Sequence, residues 1–254
     1  MKDPFSLDGK VAVITGSSKG IGRAIAESMA VRGARVVISS RKGEVCETVA
    51  QSIRDIGGEA IAVPCNVSRK TDLETLVNET NKRWGRIDIL VCNAAVNPVY
   101  GPLAQISDEA FDKVMGTNVK SNLWLCNLVI PGMAERGGGA VVIISSIAGL
   151  RGTGMLGAYG ISKAADLALT RNLAVEWGPR NVRVNAICPG LVKTDFARAL
   201  WEDPERLAKR EAETPLRRIG RPEEIGPIAT FLASDAASFI TGQVIVADGG
   251  VTIA

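Results

Sequence analysis

The sequence predicts an α/β protein: a single domain built on a doubly wound, Rossmann-like parallel sheet of about seven strands, with helices on both faces. Three observations lead there. Short apolar runs rich in β-branched residues recur along the chain, and stretches of helical periodicity separate most of them, which is the alternation of βαβ units. The runs are continuously apolar rather than alternating, as in a sheet covered on both sides. The chain has 254 residues, 46% of them hydrophobic, enough to bury one large core, and no repeat, low-complexity tract or linker divides it. The domain is therefore expected to span 1–254.

In chain order, Val11 to Thr15, Val36 to Ser39 and Ala60 to Val63 read as the first three strands. Helices over Ile21 to Val31, Glu44 to Ile56 and Leu73 to Trp84 follow them in turn, because apolar residues there return every three or four positions. Ile87 to Cys92, Val141 to Ser145, Val182 to Cys188 and Val244 to Ala247 supply the remaining strands. A further helix carries Tyr159 and runs on to Trp177. The charged stretch Pro189 to Pro222 contains Pro204 and Pro215 and is longer than compact domains leave irregular without a purpose. We expect a substrate lid with short helices there.

Composition removes several function classes. Net charge is +3 and the sequence pI is ≈ 8.6, with Lys and Arg scattered among Asp and Glu, so neither a nucleic-acid nor a membrane partner is expected. Met1 to Ser6 lacks the apolar core of a secretory signal and no apolar run reaches the length of a membrane span, which points to a cytoplasmic protein. Cys46, Cys65, Cys92, Cys126 and Cys188 are odd in number, widely spaced and without a C-x-x-C pair, so they read as buried reduced thiols. There is no histidine. That removes the usual general base, the Ser-His-Asp triad and the commonest zinc ligand, and no metal site is expected. Acid/base chemistry must use Tyr, Lys, Asp, Glu or Cys, and the only tyrosines are Tyr100 and Tyr159.

The first strand leads into Thr15-Gly16-Ser17-Ser18-Lys19-Gly20-Ile21-Gly22 and then a helix. Glycines permit a tight turn and let backbone N–H groups approach a pyrophosphate at the helix N-terminus. The spacing is G-x-x-x-G-x-G rather than G-x-G-x-x-G. The plainer alternative is a glycine-rich turn that packs a helix closely on the sheet. Dinucleotide sites commonly choose between NAD and NADP at the end of the second strand, by a carboxylate on the ribose or an Arg on the 2′-phosphate. Here that strand ends Ser39-Ser40-Arg41-Lys42, with no acid, and Lys19 adds a second cation, so NADP(H) is expected.

Tyr159 and Lys163 lie four residues apart on one helical face. A phenol with a pKa of about 10 is a poor acid/base at neutral pH, and a neighbouring ammonium lowers it toward the useful range. The alternative is a solvated helix face. Ser146 follows the fifth strand at the carboxyl edge of the sheet, where a hydroxyl could bond a substrate oxygen shared with Tyr159.

Along nearly its whole length the chain resembles the short-chain dehydrogenase/reductase family, in its branch of about 250 residues. The matching stretches are Thr15 to Gly22, Asn93-Ala94-Ala95, Asn118-Val119, Ser146 with Tyr159 and Lys163, Pro189-Gly190 with Thr194, and Gly242 to Gly250. The resemblance implies that Tyr159 is the acid/base and that Ser146 orients the carbonyl and stabilises its developing charge. It also implies that Lys163 binds the nicotinamide ribose and depresses the tyrosine pKa, and that Asn118 holds a water relaying protons to Lys163. Cofactor contacts are implied at Gly16, Ser18, Lys19, Gly20, Ile21, Gly22, Arg41, Asn66, Val67, Asn93, Ala94, Tyr159, Lys163, Pro189, Gly190 and Thr194. Two positions depart from the family pattern: Cys92-Asn93-Ala94-Ala95 stands where Asn-Asn-Ala-Gly is frequent, and Asn66 stands where an Asp is common, although its amide oxygen can still accept from an adenine amine.

More narrowly, Asn93 to Pro98, Arg136 to Gly139, and Pro189 to Thr194 through Leu200-Trp201 are similar to NADPH-dependent carbonyl reductases of the peroxisomal retinal-reductase type. The ending Val251-Thr252-Ile253-Ala254 lacks an S-K-L address, so that location is not carried over. The expected substrate is a small-molecule carbonyl or alcohol, a ketone or aldehyde of medium size and largely apolar in the carbonyl form. Its pocket would be lined from Val96 to Leu103, Ile147 to Leu156 and Leu191 to Trp201, with Arg151, Lys193 and Arg198 as the features favouring an acid instead. A 3-oxoacyl carrier-protein reductase is the enzyme alternative. A nucleotide-binding regulator without turnover is the non-enzyme one, and its mark would be loss of Asn118, Ser146, Tyr159 or Lys163. Resemblance to this branch, with apolar segments Leu123 to Met133 and Ala164 to Trp177, implies a homotetramer.

Overall fold

The computed structural model describes residues 3–254. Seven strands form one wholly parallel sheet: β1 (Val11–Thr15), β2 (Arg35–Ser39), β3 (Glu59–Ala62), β4 (Ile89–Cys92), β5 (Gly139–Ile144), β6 (Val182–Pro189) and β7 (Val244–Ala247). Their order is β3-β2-β1-β4-β5-β6-β7. The chain winds outward from β1 in one direction and from β4 in the other, so the crevice between these two strands is the topological switch point where open α/β sheets bind ligands.

The connecting helices are α1 (Gly20–Val31), α2 (Gly43–Asp55), α3 (Lys70–Trp84), α4 (Asp108–Met115), α5 (Ser121–Glu135), α6 (Gly157–Trp177), α7 (Arg198–Trp201), α8 (Pro204–Glu213) and α9 (Pro222–Ala233). Strand side chains alternate between two cores. Ala12 and Ile14 face α1, α2 and α9 together with Val36 and Ile38. Val13 and Val37 face α3, α5 and α6 with Leu90 and Val184. Each fully buried Val, Leu or Ile contributes about 1.5–3 kcal/mol of transfer free energy, which is why the strands had to be apolar on both faces.

Strand limits all fall within two residues of expectation, β4 starting two residues later and β5 two residues earlier. Asp88, buried just before β4, accepts from Val11 N through its Oδ2 at 2.9 Å, and its backbone donates to Val11 O and accepts from Ala140 N, both at 2.9 Å, so it ties together the amino ends of β1, β4 and β5. The stretch expected to be irregular contains a 3-10 turn (Asp195–Ala197), then α7 and α8, and α9 begins at its last residue. Among the described residues no helix is long and apolar enough to cross a membrane.

Candidate active site

The carboxyl ends of the strands open into one cleft of about 2260 Å³. On its cofactor side the loop after β1 turns tightly, with φ of 66° at Gly16 and 57° at Gly20. A Cβ on Gly22 would lie 2.5 Å from both Asn93 Nδ2 and Gly16 O. Nothing bulkier than glycine fits. Helix α1 starts without a side-chain cap, leaving the amides of Gly20, Ile21 and Gly22 open at the positive end of the helix dipole. An uncapped, glycine-lined helix start inside a concave site fits a pyrophosphate.

Asn93 braces this loop from β4: its Nδ2 donates to Thr15 O at 2.9 Å and Gly16 O at 3.2 Å. Thr15 Oγ1 accepts from Asn93 N at 3.0 Å and Ala94 N at 3.1 Å. Ser18, Lys19, Arg41, Asn66, Val67, Ala94, Pro189, Gly190 and Thr194 line the same cleft. Asn66 Oδ1 already accepts from Ser68 N at 3.2 Å, so one lone pair remains for an adenine amine.

The two expected phosphate cations differ. Arg41 is exposed at the cleft edge and has no ion pair among the described residues. Lys19 Nζ lies 3.2 Å from Asp195 Oδ2, a carboxylate that also binds Arg198 at 2.8 Å. In sequence both cations look available and no acid lies near Lys19. The fold brings one from 176 positions away.

The chemical side is built by the segment after β5 and the first turns of α6. Ser146, Tyr159 and Lys163 line the cleft together. The Tyr159 ring stands 6.0 Å from the ring of Phe196, and Lys163 Nζ is 5.8 Å from the Tyr159 centroid. Burial pushes the phenol above its ordinary pKa, although Lys163 and a hydrogen bond with Ser146 act in the opposite direction. The contribution of Lys163 thus has the expected sign, but in this site desolvation outweighs it.

Lys163 is itself buried. Its Nζ donates to Ile144 O at 2.9 Å and to Asp166 Oδ2 at 3.0 Å. Asn122 Nδ2 donates to Asp166 Oδ1 at 3.0 Å and to Asn118 O at 2.7 Å. Burial disfavours the ammonium, yet Asp166 and Tyr159 together hold it above its ordinary value. The Asp166 carboxyl is pushed up by burial and only partly restored by Lys163 and Asn122.

Asn118 alone among the expected site residues does not line the cleft. It sits wholly buried in a π-helical turn, Gly116–Lys120, between α4 and α5. Its Oδ1 accepts from Val96 N at 2.8 Å, and its Nδ2 donates to Val96 O and to Ser162 Oγ, both at 3.0 Å. Its side chain therefore ties the loop after β4 to α6.

Of the expected substrate-pocket residues, Val96, Tyr100, Ile147, Met155, Leu156, Leu191, Phe196 and Leu200 line the cleft, whereas Val99, Leu150 and Trp201 do not. The Trp201 indole donates to Thr194 O at 2.9 Å and its ring lies 5.4 Å from Lys193 Nζ. With Arg198 paired to Asp195, only Arg151 of the three suspected acid-binding cations lines the cleft. The sequence reading missed Lys113 and the C-terminal segment from Asp248 to Ile253, which also line it. It missed Asn122 and Asp166 as well. The legible signal for Asp166 was a lone carboxylate three residues after Lys163, flanked by Ala164, Ala165, Leu167 and Ala168.

Comparison with known proteins places this geometry. Residues 16–252 match the family model described as "Enoyl-(Acyl carrier protein) reductase". Dehydrogenase/reductase SDR family member 4 of Bos taurus is 46% identical over 244 residues, covering 96% of this chain and 88% of that protein. A gluconate 5-dehydrogenase from Burkholderia cenocepacia, solved in complex with NADP and tartrate, superposes with a TM-score of 0.95 at 32% identity, covering 99% of this chain and 98% of that one. A 7α-hydroxysteroid dehydrogenase complexed with NADH and 7-oxo glycochenodeoxycholic acid superposes with a TM-score of 0.94 at 37% identity, covering 98% and 97%. With the glycine loop, the Ser146, Tyr159 and Lys163 cluster and near-complete coverage by these relatives, the chain belongs to the short-chain dehydrogenase/reductase family of oxidoreductases.

Proposed function

We propose that the protein interconverts a ketone or aldehyde and the corresponding alcohol, with NADP(H) preferred over NAD(H). The observation that carries this reading is the convergence of Ser146, Tyr159 and Lys163 on a cleft whose other side is the open start of α1. When bound, the nicotinamide supplies or accepts the hydride. The chain's own residues do the rest. Tyr159 gives its phenolic proton to the carbonyl oxygen in reduction and takes it back in oxidation, Ser146 donates to that oxygen, and Lys163 stabilises the phenolate. Arg41 holds the 2′-phosphate in a planar fork, and the amides of Gly20 to Gly22 hold the pyrophosphate.

The apolar lining contributed by Val96, Leu156, Leu191 and Phe196 supports a largely apolar substrate. The segment from 189 to 222 acts as its lid. Arg151 and Lys113 carry no ion pair among the described residues and line the cleft, which keeps a second reading in view: an oxo acid, or an acyl chain on an acidic carrier. The same proposal includes a cytoplasmic homotetramer. All five cysteines are free and buried, as in a reducing compartment, and Leu123 on α5 and Val175 on α6 leave apolar side chains exposed for a partner subunit. The deciding experiment follows nicotinamide absorbance with NADPH and NADH over aryl and alkyl ketones and over 2- and 3-oxo acids of matched size. Preference for ketones with NADPH is expected. A tenfold or greater preference for the acids would overturn the apolar pocket, and equal efficiency with both cofactors would overturn the cofactor assignment.

A further inference from the structure

Asp166 is a wholly buried carboxylate that the proposed chemistry does not use. Burying a charge is costly unless it is paired and hydrogen-bonded, so its partners show what it is for. One oxygen faces Lys163 Nζ at 3.0 Å and the other faces Asn122 Nδ2 at 3.0 Å. Both neighbours are donors, so both oxygens accept, the role an ionised carboxylate fills, and Lys163 and Asn122 oppose the upward push of burial on its pKa. Lys163 spends a second N–H on Ile144 O at 2.9 Å, which leaves one N–H of its three for the cleft.

We propose that Asp166 is a positioning residue: as the buried counter-ion of Lys163, it keeps that side chain protonated and aimed, so that its charge is available to the Tyr159 phenol. The inference rests on the reading of Tyr159 as the acid/base. The surroundings offer no substitute for Asp166. The titratable groups facing the pair are the Tyr159 phenol and the thiols of Cys92 on β4, itself next to Cys126 on α5, and Cys188 on β6. The hydrogen bond with Cys126 and burial push the Cys92 thiol upward, and burial does the same at Cys188, so both stay neutral. Without Asp166, burial acts on Lys163 opposed only by Tyr159 and, weakly, Cys188, and the ammonium gives up its proton at lower pH. Asp166 also opposes phenol ionisation directly, but its effect on Tyr159 is smaller than that of Lys163, so losing the lysine charge wins.

The test uses the scarcity of tyrosine. In a Tyr100→Phe background Tyr159 is the sole phenol, and its ionisation is read as tyrosinate absorbance against pH in the folded protein without added cofactor. Asp166→Asn is expected to move the midpoint up by one pH unit or more. In alcohol oxidation the pH of half-maximal turnover should move in the same direction, so that turnover falls about tenfold more at neutral pH than on the alkaline plateau. Asp166→Glu should restore the parental midpoint, whereas Asn122→Ala, which loosens the network without removing charge, should lower stability and leave the midpoint in place. An unmoved or lowered midpoint in Asp166→Asn overturns the proposal. Should that variant not fold, nitrogen NMR of the parent decides: a slowly exchanging ammonium signal, lost in Lys163→Met, must persist above pH 9, and its absence is equally fatal. Failure of the Tyr159 assignment is distinguishable, because it appears as near-parental turnover in Tyr159→Phe and leaves the titrations readable.

Discussion

Replacing Arg41 by Asp removes a cation at the end of β2 that has no ion pair among the described residues and puts a carboxylate in its place. A charge-assisted hydrogen bond is worth about 1.5–3 kcal/mol. Arg41 is exposed, so solvent and salt screen it and the lower end applies. About 1.5 kcal/mol corresponds to roughly tenfold in affinity for NADPH. The new carboxylate adds repulsion toward the 2′-phosphate and can accept from the ribose 2′-hydroxyl of NADH, as acids at this position do. Arg41→Asp should therefore lower the ratio of kcat/KM for NADPH over NADH at least tenfold, measured at low salt with one carbonyl substrate, while kcat with saturating NADH stays near parental. Lys19 does not compensate, because Asp195 already holds it at 3.2 Å. An unchanged ratio would refute the assignment of Arg41, and a fall in kcat alone would show that the residue acts elsewhere.

Gly22→Ala places a methyl 2.5 Å from Asn93 Nδ2 and Gly16 O, so dinucleotide affinity by fluorescence titration should fall tenfold or more. Overpacking of this kind costs about 1–3 kcal/mol, and a variant that binds like the parent would show that the loop does not cradle the cofactor. Asn118→Ala strands the half-buried Val96 N and Val96 O and leaves Ser162 Oγ only its bond to Tyr159 O; at about 1–3 kcal/mol for each group left unpaired, partly re-satisfied by water, Tm should drop by roughly 4–15 °C. Turnover should fall with it, and an unshifted Tm would contradict the bracing role. The native protein at pH 8 should resist a thiol reagent that labels all five cysteines after denaturation, since every one is buried and burial pushes the Cys65 thiol up to about 12; rapid labelling of any cysteine in the folded protein would contradict this.

Much of this architecture is legible in the residues themselves. Runs such as Val11 to Thr15 and Ile89 to Cys92 are apolar on both faces because helices cover both, and that demand is readable in a single sequence. The glycine loop is legible for a similar reason, since Gly16 and Gly22 sit where a Cβ meets backbone or Asn93. Pairings made only in three dimensions are not legible. Lys19 and Asp195 look like ordinary surface charges until the chain brings them together. The tyrosine–lysine spacing drew attention to one face of α6, while Asp166, one turn beyond, belongs to the same site through a pairing with Asn122 on another helix. Asn118 was named by resemblance, yet its side chain turns away from the cleft because a π-helical turn re-aims it toward Val96 and Ser162.

The most direct test of the account is a comparison of Tyr159→Phe with the parent, using NADPH and the best ketone found in the substrate screen. The substitution removes one oxygen and keeps the ring that packs 6.0 Å from Phe196. Single-turnover oxidation of bound NADPH should slow by about two to four orders of magnitude, the scale of a lost general acid, while NADPH affinity changes less than about threefold, a difference under 1 kcal/mol. A variant that turns over at a near-parental rate would remove Tyr159 from the chemistry, and with it the claim that this cleft reduces carbonyls through a tyrosine acid.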